Sequence, residues 1–150
     1  MGHALLAAAM IAAVATPATA EVLDAVYRGT LVCERLPFAQ APMREAIEVK
    51  ITGGVVHYNH VVRLRDQPSE MLEKGVGVVK GQSIELQGSW KDGTRQYEAR
   101  YNGNFVRRSA RLKGTQIWTD GGKTVTRACA GAIKRPLKPF LPRSKKPSAA

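Results

Sequence analysis

The residues best suited to chemistry are few and do not form an obvious set. Cys33 and Cys129 are the only cysteines, and neither has a His or a second Cys at metal-ligand spacing. A disulfide is therefore the chemistry they suit. In the chain-entropy account a closed loop of about 100 residues contributes roughly 4.7 kcal/mol, an upper figure. His57 and His60 lie three apart in a strand-like run, so they point to opposite faces and cannot grip one ion together. Asp66, Asp92 and Asp120 sit in turn sequences, where Asp has a structural role. Glu45, Glu48, Glu85 and Glu98 read as solvent-face strand residues. Ser69, Ser83, Ser89 and Ser109 lack a nucleophile-elbow context. Gly75-Val76-Gly77 lacks the strand-to-helix setting of a phosphate cradle. The sequence thus offers no catalytic residue, no metal site and no cofactor site.

Two groups of residues suit binding instead. Tyr27, Trp90, Arg95, Tyr97, Tyr101 and Trp118 share one face of the expected strands. Such a set either fills a core or lines a pocket, with Trp90 and Arg95 at its rim. The second group is basic: an outward stripe of Arg107, Arg111 and Lys113, with Lys134, Arg135, Lys138, Arg143, Lys145 and Lys146 beyond it. Each cation near an anionic surface contributes roughly 1 kcal/mol before salt screening.

The elements that must position these residues are strands. Gly53-Gly54, Asp66-Gln67-Pro68-Ser69, Lys80-Gly81, Asp92-Gly93, Asn102-Gly103 and Asp120-Gly121-Gly122 punctuate the chain. Between them run alternating segments rich in Val, Ile, Tyr and Thr. Eight strands are predicted, at about 25–33, 45–51, 55–65, 73–79, 83–91, 94–101, 105–119 and 123–133. No segment has a convincing amphipathic helical period.

A turn at Asp92-Gly93 sets Trp90 opposite Arg95 and gathers the apolar residues of both strands on one face. A turn at Asn102-Gly103 then carries that face into Val106, Arg108, Ala110 and Leu112, and sets Glu98 opposite Arg107. Continuing it places Val125, Arg127 and Cys129 inward, matching Tyr27, Gly29, Leu31 and Cys33 in the first strand. The fourth strand has two registers: one turns Gly75 and Gly77 inward, the other Val76 and Val78. A meander with one apolar face must cover its edges. The expectation is an all-β, antiparallel up-and-down meander of about eight strands, closed into a barrel of lipocalin-like or avidin-like shape. A two-sheet sandwich is the alternative.

The ends of the chain differ in kind. Residues 1–20 hold no Asp, Glu, Lys or Arg, run apolar from Leu5 to Val14, and end Ala18-Thr19-Ala20. This reads as a signal peptide cleaved after Ala20, although its n-region carries only the amino terminus and His3 as positive charge. It implies a periplasmic or secreted protein with its disulfide oxidised, and no later segment is apolar enough for a transmembrane helix. Residues 134–150 hold six basic residues, four prolines and no acid, and are expected to form a disordered tail. The domain between, 21–133, carries 17 of the 23 basic residues and all 12 acidic ones. Export and the lack of exposed aromatics among the basic residues argue against nucleic acid as the partner.

Tyr27-Arg-Gly-Thr-Leu-Val-Cys33, Tyr97-Glu-Ala-Arg-Tyr-Asn-Gly103, Leu112-Lys-Gly-Thr-Gln-Ile-Trp118 and Arg127-Ala-Cys129 together resemble small exported proteobacterial proteins of unknown function with a cysteine-bracketed β-meander. The resemblance spans about 27–130. It implies a periplasmic address and a β fold, and it carries no activity. Periplasmic lysozyme inhibitors are also small disulfide-bearing barrels, but their recognition motif is not in this chain.

The function expected from the sequence is non-catalytic binding of a protein or anionic envelope component. Small-ligand carriage inside the barrel is the runner-up. An enzyme assembled from distant residues stands third, without a motif behind it.

Overall fold

The computed structural model describes residues 23–37, 42–63 and 71–137. The leader, Asp66, Ser69 and the basic residues from Lys138 onward lie outside the described residues. Eight strands follow in order: β1 (Ala25–Cys33), β2 (Met43–Thr52), β3 (Val55–Val62), β4 (Met71–Lys80), β5 (Ser83–Asp92), β6 (Arg95–Val106), β7 (Ser109–Asp120) and β8 (Lys123–Lys134). Each pairs antiparallel with the next, and β1 pairs with β8, so the sheet closes into a barrel rather than a sandwich. The seam runs from Arg28 opposite Lys134 to Cys33 opposite Cys129, and these two cysteines form the disulfide across it.

Closure leaves one face of each strand inside. Tyr27, Leu31 and Cys33 of β1, Ile47, Val49 and Ile51 of β2, and Ile84 and Leu86 of β5 are buried on it. Polar residues alternate with them on the outer wall. β4 takes the register with Gly75 and Gly77 inward and Val76 and Val78 exposed, pairing Lys80 with Ser83 around Gly81-Gln82. A Cβ on Gly75 would lie 2.0 Å from Cε1 of Tyr58, so the glycine is what lets that ring cross the lumen.

The hairpin registers differ from the sequence expectation at two places. β5 and β6 turn at Gly93-Thr94, so Trp90 faces Tyr97 rather than Arg95. The larger correction is Asn102-Gly103, which forms no turn. β6 runs through it, and the chain reverses at Arg107-Arg108, with Val106 opposite Ser109. Glu98 consequently faces Ile117, not Arg107, and Val106 and Arg108 are exposed rather than inward. The physical reason is Phe105. Turning at Asn102-Gly103 would put its ring outside and Arg108 inside, whereas the observed register buries Phe105. Burying a Phe side chain stabilises by about 1.5–3 kcal/mol. The cost is Arg107 held at φ 56°, a left-handed conformation of about 1–2 kcal/mol for a non-glycine residue.

Candidate functional site

The two ends of the barrel are built differently. One end, here the turn end, consists of the Gly53-Gly54, Gly81-Gln82 and Arg107-Arg108 turns together with the segments entering β1 and leaving β8. Hydrogen bonds tie its neighbouring pieces: Gly53 N to Asp24 Oδ1 at 2.9 Å, Val79 N to Gly54 O at 2.8 Å, Phe105 N to Gln82 O at 2.7 Å and Arg135 N to Arg108 O at 2.9 Å. Arg108 Nη2 also donates to the carbonyl of Pro136 at 3.2 Å, fastening the start of the tail to the Arg107-Arg108 turn. The opposite end, here the loop end, carries the turns Gly93-Thr94 and Gly121-Gly122 and the connections β1–β2 and β3–β4.

Inside the loop-end half lies a polar network that the sequence reading missed. Glu73 and His60 are both fully buried, at 0 % exposure. Tyr58 Oη donates to Glu73 Oε1 at 2.5 Å and Tyr97 Oη donates to Glu73 Oε2 at 2.7 Å. His60 Nδ1 lies 2.8 Å from Oε2 of Glu73, while its Nε2 is buried without a partner among the described residues. Beside this group Gln116 Nε2 donates to Tyr101 Oη at 2.7 Å, and Gln116 Oε1 accepts from Arg127 Nε at 2.8 Å and from Trp118 Nε1 at 3.1 Å. The Arg127 guanidinium also sits 5.2 Å from the Trp118 ring centre.

The electrostatics follow from burial. Burial first, then the neighbouring Glu73, pushes the Tyr58 and Tyr97 hydroxyls far above the ordinary tyrosine value. Tyr101 shifts the same way for the same leading cause. Burial pulls Arg127 down to about 10, partly offset by Tyr101, Tyr97 and Glu73. A carboxyl, an imidazole and two phenols in contact are acid–base groups, but none is exposed to a substrate. Among the described residues no group of three or more His, Cys, Asp or Glu side chains is placed to hold a metal ion.

The aromatic set expected to line a pocket is divided. Trp90, Tyr97 and Trp118 do gather at the loop end, with Tyr97 and Trp118 ring centres 4.6 Å apart and Trp90 6.1 Å from Tyr97. Only Trp90 of the three is partly exposed. Arg95 stands at that rim and pairs with Asp120 at 3.4 Å. Tyr101 packs edge-on to Tyr58 across the lumen. Tyr27 is elsewhere, in the turn-end half, 5.1 Å from the Phe105 ring and bonded to the Leu23 carbonyl.

The basic residues also divide. Arg111 and Lys113 project from the outer face of β7, and Lys134 ends β8 opposite Ser109. Arg107 belongs to the turn at the end of the stripe rather than to a strand. With Arg108 and Arg135 these make a cationic group at and beside the turn end. None has a carboxylate partner among the described residues, whereas Arg28 is paired with Glu48 at 2.7 Å and Arg63 with Glu45 at 2.8 Å.

A signal for the missed interior residues does exist in the sequence. Glu73 has the same strand parity as Gly75, so choosing the glycine-inward register of β4 places it inside. Gln116 lies between Gly114 and Trp118 on the inward face of β7. No protein-family model matches the chain, and no curated protein matches it in sequence.

Proposed function

We propose that this barrel is a non-catalytic binding module that engages an anionic component through the cations at and beside its turn end. The observation that carries this reading is the convergence of Arg107, Arg108, Arg111, Lys113, Lys134 and Arg135 without carboxylate partners among the described residues, whereas Arg28 of β1 and Arg63 after β3 are each paired with a glutamate of β2. Among the described residues the turns and chain segments of that end hold one carboxylate, Asp24, and it accepts from Gly53 N. Closely grouped cations without counter-charges raise the local positive potential and draw anions from solution.

Compartment and leader are part of the proposal. The Cys33–Cys129 disulfide suits a protein outside the reducing cytoplasm. With the leader-like residues 1–20 it supports export, cleavage after Ala20 and a periplasmic or secreted site of action. The outer wall alternates mostly polar residues with a few exposed apolar ones such as Val32, Val76 and Ile117, and the lumen is where most apolar side chains meet, unlike a barrel whose wall faces lipid. Carriage of a small ligand in the lumen is the weaker reading, because Tyr27–Phe105 and Tyr58–Tyr101 contacts already cross it.

The test is salt-dependent retention of the mature, oxidised chain on an immobilised sulfated polyanion. Neutralising Arg107, Arg111 and Lys113 to Gln is expected to weaken binding at low salt by about 100-fold, at roughly 1 kcal/mol per lost cation. Removing 138–150 is expected to weaken it further. Unchanged retention of the triple variant would overturn the assignment of this surface.

A further inference from the structure

We infer that the turn end docks onto the surface of an anionic phospholipid bilayer, an inference that rests on the anion-binding reading and names its partner. Charge alone does not select a bilayer. What does is the apolar surface set among the cations. Val106 is 70 % exposed, directly before the Arg107-Arg108 turn, and Leu137 is 77 % exposed, directly after the Pro136 carbonyl that Arg108 holds. Val55 and Val78, at 51 % and 40 %, are cross-strand partners beside the Gly53-Gly54 turn. Single exposed valines are ordinary. At this end Val106 and Leu137 flank Arg107 and Arg108 with Lys134 and Arg135 nearby, and Val55 and Val78 lie beside Lys80 at the Gly53-Gly54 side, so apolar side chains accompany cations on both sides of it.

That pattern matches the headgroup boundary. Turn-tip Val and Leu side chains reach the top of the acyl region while neighbouring cations meet anionic headgroups. An acidic protein or a soluble polyanion would use the cations and leave the apolar tips without a role. Docking is end-on, because the barrel wall interleaves Glu48, Glu85 and Glu98 with its basic residues. The sequence beyond Leu137 repeats the chemistry, with Phe140 and Leu141 among Lys138, Arg143, Lys145 and Lys146 and no acidic residue.

The experiment is sedimentation of the mature chain with phosphatidylglycerol–phosphatidylcholine vesicles and with pure phosphatidylcholine vesicles. Retention on the sulfated polyanion is measured in parallel. Binding to the anionic vesicles alone, weakened by salt, is expected. The variant V106S/L137S, which alters only exposed side chains, is expected to bind those vesicles about tenfold more weakly and the polyanion unchanged. Native tryptophan fluorescence checks that the variant is folded. Equal vesicle binding by V106S/L137S and the parent would overturn the bilayer inference, as would retention on the polyanion without any vesicle binding. In both cases the anion-binding reading survives. Absence of binding to either partner would overturn both.

Discussion

The two halves of the lumen are filled by the same alternation of strand residues and held together by different physics. Toward the turn end the interior is Ile51, Val56, Ile84, Phe105, Ala110, Leu112 and Ile133, with Tyr27 against Phe105. Apart from the Tyr27 hydroxyl, which donates to the Leu23 carbonyl, nothing there requires direction, so volume and apolar area decide the fit. Toward the loop end the interior is His60, Glu73, Gln116 and Arg127, bridged by Tyr58, Tyr97, Tyr101 and Trp118. Here each atom's partner matters, because an unpaired polar group in a low-dielectric interior costs far more than a paired one gains. The contrast teaches that a regular barrel constrains where side chains point without constraining what they do there. It also accounts for the small residues: Gly88 carries no side chain because a Cβ would lie 2.1 Å from Tyr58 Oη and 2.4 Å from Glu73 Oε1.

Truncation is the bluntest way to compare the halves, and it should cost both heavily. Phe105→Ala opens a cavity in the apolar half and is expected to lose about 3–5 kcal/mol in denaturant unfolding. Glu73→Ala removes the group that Tyr58, Tyr97 and His60 all meet, and a similar loss of about 3–5 kcal/mol is expected from the groups left unpaired. The causes separate on rescue. Adding Tyr58→Phe and Tyr97→Phe to Glu73→Met should recover part of the loss, since removing both partners of a buried hydrogen bond is cheaper than removing one. No partner change should rescue Phe105→Ala. If the triple variant is less stable than Glu73→Met alone, removing the partners does not rescue the loss and the distinction fails.

Shape-preserving substitutions separate the halves with smaller effects. Ile84→Leu keeps volume in the apolar half and is expected to cost less than about 1.5 kcal/mol. Glu73→Gln keeps volume too, but turns one acceptor oxygen into a donor facing Tyr58, Tyr97 or His60. It is expected to cost about 1–3 kcal/mol. Equal costs in urea melts would mean that hydrogen-bond direction does not distinguish the two regions.

How much of this was legible in the sequence follows the same division. The barrel, its eight strands and the inward cysteines were readable, because period-two alternation and turn residues act locally and the faces survive a register shift of two. Trp90 stayed inward although its partner changed from Arg95 to Tyr97. Asn102-Gly103 misled because a strong local turn signal competed with the burial of Phe105, three residues on, and lost. In that strand the glycine serves close approach: a Cβ on Gly103 would meet the Arg111 carbonyl oxygen at 2.1 Å. The polar network was legible only residue by residue, through strand parity, and its connections were not. Glu73, His60 and Gln116 lie on β4, β3 and β7, and no spacing along the chain relates them. The cationic turn end is half legible: the sequence offers Arg107, Arg111, Lys113, Lys134 and Arg135, but it places Arg107 on a strand and turns Val106 and Arg108 inward, whereas all three are exposed at the turn.

The last comparison is by titration, and its effect is nil at neutral pH. Tyr58, Tyr97 and Tyr101 have folded values raised above 10.0, first by burial and then by Glu73. The stability they contribute is therefore fully present below pH about 10 and lost as pH rises beyond it. Arg127 runs the other way. Its value falls from the ordinary arginine range to about 10, so the cost of its buried charge is present below about 10 and is relieved as pH rises beyond it. Three tyrosines outweigh one arginine, and stability should fall with increasing alkalinity. Tyrosinate absorbance should then appear from these three residues only as the barrel unfolds, in step with loss of native tryptophan fluorescence. The variant Y58F/Y97F should remove part of that unfolding-linked absorbance. In a Tyr27→Phe background, phenolate absorbance rising near pH 10 in barrels that keep their native fluorescence would mean that water reaches the loop-end half. The polar network would then be a solvated mouth rather than the closed counterpart of the apolar half.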